Sequence, residues 1–94
     1  MDISDLIWLP DVVDKLIEKH RVDPLEVEEL FAGRPQFRRH ERGKVQGEDL
    51  YAVLGQTEAG RYLIVYFIRK AGGAALVISA RDMDAGERRQ YGRK

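Results

Sequence analysis

The sequence predicts an α+β domain: two N-terminal helices, a meander of antiparallel strands, and a short closing helix. Three observations carry this expectation. Apolar residues recur with a helical period up to Gly33 and with a period near two after it. Polar, glycine-bearing turns separate the alternating runs. The second and third helices each open on Asp-x-x-Glu (Asp23 to Glu26, Asp84 to Glu87), a reciprocal capping signature.

The elements follow in order. Val12, Val13, Leu16, Ile17 and His20 share one helical stripe, which predicts an amphipathic helix over residues 10–20, with Pro10 at its first position. The reading also allows a short strand at Ile7–Leu9 before it. Asp23 caps the second helix, Pro24 opens it, Val22 and Val27 are spaced as a hydrophobic staple, and Gly33 stops it. Residues 35–42, PQFRRHER, read as a basic edge strand that Pro35 begins. Leu50–Leu54 is the next strand and Gln56–Gly60 its hairpin turn. Tyr62–Ile68 is apolar on both faces and therefore central. Lys70–Gly73 turns the chain into the last strand, Ala74–Ala80, and Asp84 caps the final helix.

A chain of 94 residues forms one domain, spanning residues 1–94, with one modest core. The absence of cysteine excludes disulfides and thiolate metal sites and fits a reducing cytosol. No apolar run approaches the roughly 20 residues of a membrane span. The acidic start MDISDLIWLPD is no secretory signal, so a cytoplasmic protein without membrane contact is expected. The net charge of zero conceals an asymmetry. Residues 1–33 carry nine acids and three bases, a balance of −6; residues 34–94 carry seven acids and thirteen bases, a balance of +6. A basic half can bind a polyanion, or it can attract the acidic half or an oligomer mate. The run RPQFRRHERGK, with one aromatic among five arginines and lysines, suits single-stranded RNA, a charge-protected strand edge, or the docking of an acidic protein segment.

An ordered set of short motifs spans residues 8–91. It comprises Trp8, then Lys19, His20 and Val22, then the helix VDPLEVEELF. Gly47, Glu48, Asp49 and Tyr51 come next, then Leu54 and Gly55 as a turn, Gly60, Arg61 and Leu63, and Arg69 near a strand end. The string Ile78 to Arg81 (ISAR) and the closing Glu87, Arg88 and Tyr91 complete it. In this arrangement the chain resembles the BrnT family, the ribonuclease toxins of type II toxin–antitoxin pairs. Three positions depart from the family's pattern: Leu9 replaces an acid, Arg21 a glycine, and Leu50 an arginine. The resemblance implies a RelE-like fold and an endoribonuclease that cleaves RNA without a metal or cofactor. It also implies a small, adjacently encoded BrnA-like antitoxin, through which alone the toxin would meet DNA. A non-catalytic module of the same fold, binding protein or RNA, is the alternative.

Metal-free RNA cleavage needs a base for the 2′-hydroxyl, cations for the phosphorane charge and an acid for the leaving oxygen. Arginine suits the second role through its bidentate fork. Strict alternation puts Arg61, Leu63, Val65, Phe67 and Arg69 on one face of the central strand, and Val77, Ser79 and Arg81 on one face of its neighbour. Arg61 and Arg81 are thus expected to converge on one phosphate, or each to pair with a local carboxylate such as Glu48, Asp82 or Glu87. His20 is a candidate base or acid, or a helix-end residue packing on Trp8 or Val22. Lys19 contacts phosphate or solvent, and Glu48 acts as a base or orients an arginine. Arg38, Arg39, His40, Arg69 and Tyr91 are the expected RNA-binding residues, with Tyr91 exposed and able to stack on a base. Tyr51, Tyr62, Tyr66 and Trp8 read as core. The antitoxin is expected to present an acidic or amphipathic segment to the basic strand Phe37–Lys44 and the Arg61/Arg81 edge.

Overall fold

The computed structural model describes residues 1–41, 43 and 48–92, with residues 39–41 as backbone only. The elements are β1 (Asp5–Ile7), α1 (Pro10–His20), α2 (Pro24–Ala32), β2 (Gln36–Glu41), β3 (Leu50–Gln56), β4 (Tyr62–Arg69), β5 (Ala74–Asp82) and α3 (Ala85–Gly92). They form one sheet in the order β1-β5-β4-β3-β2. The meander from β2 to β5 is antiparallel throughout, as the turn chemistry predicts. The expected four-stranded antiparallel sheet is corrected in one respect. β1 adds a fifth strand parallel to β5, pairing Leu6 with Ala75, so the sheet is mixed. The short strand allowed for at Ile7–Leu9 forms at Asp5–Ile7; its three residues are too few to show alternation, and its partner lies some 70 residues away in sequence.

α1 and α2 cover the inner face of the sheet. Leu16, Val22, Val27 and Leu30 pack there on Val53, Leu63, Val65, Phe67, Ala75, Val77 and Ala80. α3 covers part of the outer face, where Tyr91 and Met83 pack with Ala52, Leu54 and Ile64. β4 is central and buried on both faces, as its sequence requires.

Both expected capping boxes form. The Asp23 carboxylate accepts from the Leu25 amide at 2.8 Å, and Glu26 accepts from the Asp23 amide at 3.0 Å. At α3, Asp84 accepts from the Glu87 amide at 2.8 Å and Glu87 from the Asp84 amide at 2.9 Å. α1 lacks a side-chain cap, since its N-cap is Leu9. Two glycine sites decide local geometry. Gly55 lies inside β3 rather than in a turn, and a Cβ there would stand 2.6 Å from Leu30 Cγ, so the missing side chain lets α2 seat on the sheet. Gly72 and Gly73, at φ 89° and 96°, make the β4–β5 turn that receives Ser4.

One irregularity controls the rest of the molecule. Phe67 pairs with Val77 and Tyr66 with Ser79, so Ile78 is an extra residue in β5. This bulge inverts the alternation after it. Ala80 and Asp82 point inward, whereas Ser79 and Arg81 point outward beside Tyr66 and Ile64.

Candidate functional site

Two polar clusters lie at the β4-start, β5-end side of the sheet, one on each face. On the inner face, α1 ends in Arg21, a non-glycine residue in the left-handed region at φ 53°. That ending leaves backbone carbonyls of the last turn without helical partners. Arg61 supplies donors to them. Its Nη1 donates to the Arg21 carbonyl at 2.7 Å and its Nη2 to the His20 carbonyl at 3.1 Å. Nη1 also donates to Glu26 at 3.0 Å, while Nε and Nη2 grip Asp82 at 2.7 and 3.2 Å. A guanidinium has five N–H donors, and these five acceptor directions use all of them. The Asp82 hydrogen bonds, opposed by partial burial and aided by Glu26, raise the Arg61 pKa further. Arg61 in turn lowers the Asp82 carboxyl below its ordinary range, with a smaller contribution from His20. Lys19 and His20 share this end of the molecule. The cluster ties α1, α2 and β5 together and leaves Arg61 no donor for a phosphate.

On the outer face, Arg81 rises from β5 toward the first turn of α3. Its Nη1 and Nη2 form a bidentate pair with Glu87 at 2.8 and 2.9 Å. Nη2 also donates to the Tyr66 hydroxyl at 3.2 Å, and the guanidinium carbon stands 5.9 Å from the Tyr66 ring centroid. The Glu87 hydrogen bonds dominate the strong upward shift of Arg81, which stays charged, and Arg81 holds the Glu87 carboxyl low. Arg38 of β2 reaches the same groove and donates to Gln90 of α3. Arg38, Tyr66, Glu87 and Gln90 line a cavity of about 210 Å³ floored by Ala52, Leu54 and Ile64. A cation, a carboxylate and a phenol thus meet over an apolar floor, which offers charge stabilisation and proton transfer in one place.

The expected convergence of Arg61 and Arg81 on one phosphate is therefore corrected. The Ile78 bulge sends them to opposite faces, and each is met by carboxylates. Glu48 joins neither cluster. It pairs with Lys70 at 3.4 Å beyond the opposite end of β4, about six residues or roughly 20 Å from the Arg81 row. Arg69 is also at that far end, donating to the Asp2 carbonyl at 3.1 and 3.3 Å. Tyr91 is not exposed for stacking. It is buried, its hydroxyl donates to the Arg34 carbonyl at 2.9 Å, and its ring meets Tyr62 edge-on at 6.1 Å. The side chains of Arg39 and His40, and the whole of Arg42, Lys44 and Gly47, lie outside the described residues. The basic docking edge expected from Arg61 and Arg81 is not assembled, because the two arginines do not share a surface.

Tyr66 belongs to the groove but reads as core in the sequence, whereas Glu87 reads there both as a cap and as one of the carboxylates an arginine could pair with. Glu87 does both jobs, since the carboxylate that closes the capping box also holds Arg81. Its sequence signal was the six-residue step from Arg81, from a strand end to the first turn of the next helix. Among the described residues no group of three His, Asp or Glu side chains is arranged to hold a metal ion. Nor is any helix among them long and apolar enough to cross a membrane.

Compared with known proteins, residues 8–87 match the family described as ribonuclease toxin, BrnT, of type II toxin-antitoxin system. No curated protein matches the chain.

Proposed function

Since the chain belongs to the BrnT family of ribonuclease toxins of type II toxin–antitoxin systems, we propose that it is a metal-independent endoribonuclease whose cleavage groove is the outer-face cluster of Arg81, Glu87, Tyr66 and Arg38. The bidentate Arg81–Glu87 pair beside the Tyr66 hydroxyl is the observation that supports this reading. An RNA phosphate competes with Glu87 for the Arg81 fork. The displaced Glu87 carboxylate takes the proton of the 2′-hydroxyl. The 2′-oxygen bonds to phosphorus, and the bond from phosphorus to the 5′-oxygen breaks. Arg81 balances the charge on the phosphorane, and Tyr66 gives its proton to the departing 5′-oxygen. Exchange with solvent returns both groups to their starting states. Arg38 holds the flanking RNA backbone. Lys19 and His20 flank the inner-face cluster, where Arg61 serves the fold. The RelE-like architecture and the BrnA-like identity of the antitoxin belong to the same proposal.

The closed Arg81–Glu87 pair also favours a second reading, a non-catalytic module that binds RNA or protein on this face. One assay separates the two. The purified protein is incubated with end-labelled RNA in the presence of EDTA. Cleavage leaving 2′,3′-cyclic phosphate ends is expected, with Arg81→Ala and Glu87→Gln slower by on the order of 10²–10³ while each still unfolds cooperatively well above the assay temperature. No cleavage by the wild type, or full activity in both variants, would remove this assignment.

A further inference from the structure

A second concavity lies on the inner face, between the N-terminal segment and α2, with a volume of about 730 Å³. Its apolar lining comes from Ile3, Leu6, Trp8, Phe31 and Phe37, all half-buried and continuous with the core. Phe31 and Phe37 stand 5.6 and 6.0 Å from Phe67, so the floor is an aromatic cluster packed on the core. Among the described residues, the charged side chains of the lining are Asp2, Asp5 and Glu28, beside the Met1 amino end. Arg69 approaches nearby and donates to the Asp2 carbonyl, while the carboxylates of the rim remain in excess.

These features select the occupant. Three carboxylates around an apolar floor repel a phosphate backbone, so the groove is no extension of an RNA path. Half-exposed aromatics in a preformed concavity are what an apolar anchor of a protein partner fills. The acidic rim requires basic residues beside that anchor, and the whole segment 1–33 carries a balance of −6. The family supplies a protein partner, since a type II toxin has a cognate protein antitoxin.

We infer that this groove is the antitoxin's anchoring site and takes a basic amphipathic segment, its apolar side on Trp8, Phe31 and Phe37 and its cations on Asp2, Asp5 and Glu28. The inference rests on the family reading and is independent of the cleavage groove on the opposite face.

The probe is the protein encoded by the reading frame adjacent to this one, co-purified and then titrated against the wild type and D2K/E28K. Both substituted positions are exposed, so folding is expected to survive. The double variant should bind at least tenfold more weakly and lose most of the salt dependence of the wild-type complex. Its melting and its RNA cleavage should be unchanged. Unaltered binding by D2K/E28K would overturn the inference, as would an adjacent-frame product that does not bind the wild type. So would a wild-type dimer that this variant dissolves, which would make a second copy the occupant. Loss of binding in the variant supports the dock even if the wild type cuts no RNA, so the two readings fail separately.

Discussion

Arg61 and Arg81 leave neighbouring parts of the sheet on opposite faces, and each is neutralised where it emerges. Arg61 meets Asp82 and Glu26 under the helices, and Arg81 meets Glu87 under α3. Asp82, which Arg61 holds, is the residue next to Arg81, so one step along β5 separates the two clusters.

Arg61→Ala is expected to destabilise the protein by about 1–2 kcal/mol, since hydrogen bonds to charged groups contribute about 1.5–3 kcal/mol and these are partly open to solvent. Arg61→Lys should recover little, because three rotating donors cannot replace a five-donor fork. Thermal unfolding measures both. Folded Arg61→Ala should still cleave RNA, and its inactivity with unchanged melting would return Arg61 to the reaction.

Arg21 occupies a backbone conformation that costs a side-chain-bearing residue roughly 1–2 kcal/mol. Arg21→Gly should therefore raise stability by about 0.5–1 kcal/mol, net of the greater freedom glycine has when unfolded. A lowered melting temperature would show that the Arg21 side chain contributes more than its backbone costs.

Leu50 pairs with Ile68, two residues before Ala52, which pairs with Tyr66. Leu50 thus shares the outer face with the groove. Leu50→Arg adds a cation one step from Tyr66 and should speed RNA cleavage or strengthen RNA binding. Unchanged values of both would mean that this position serves something other than RNA. Leu50 is only half-buried, so the substitution should be soluble.

Asp82 and Glu87 are both held below the ordinary carboxylate range by their arginines. Their contribution to stability is then complete above the unfolded values, about pH 4–4.5, and is lost as pH falls through the lowered folded values. Glu87→Gln and Asp82→Asn should each flatten the acid limb of the stability profile. They should also lower stability at neutral pH, and identical acid limbs would contradict the pairing.

Much of the architecture was legible in the chain. Capping boxes at Asp23 and Asp84, the stop at Gly33 and the two-sided apolar run Tyr62–Ile68 are local signals, because each depends on residues within a turn or a strand of one another. The family, too, was legible in the ordered motifs from Trp8 onward. What the sequence could not determine were the relations that one extra residue or a distant pairing controls. β1 pairs with a strand some 70 positions away and carries no period of its own. The Ile78 bulge leaves no mark in composition, yet it inverts the facing of Ala80, Arg81 and Asp82. Alternation counts residues, but a sheet face is fixed by hydrogen-bond register, and register is a property of two strands together. The separation of Arg61 from Arg81, the seating of Glu87 between cap and arginine, and the acidic aromatic groove beside Trp8 were therefore decided only when the strands paired and the helices packed.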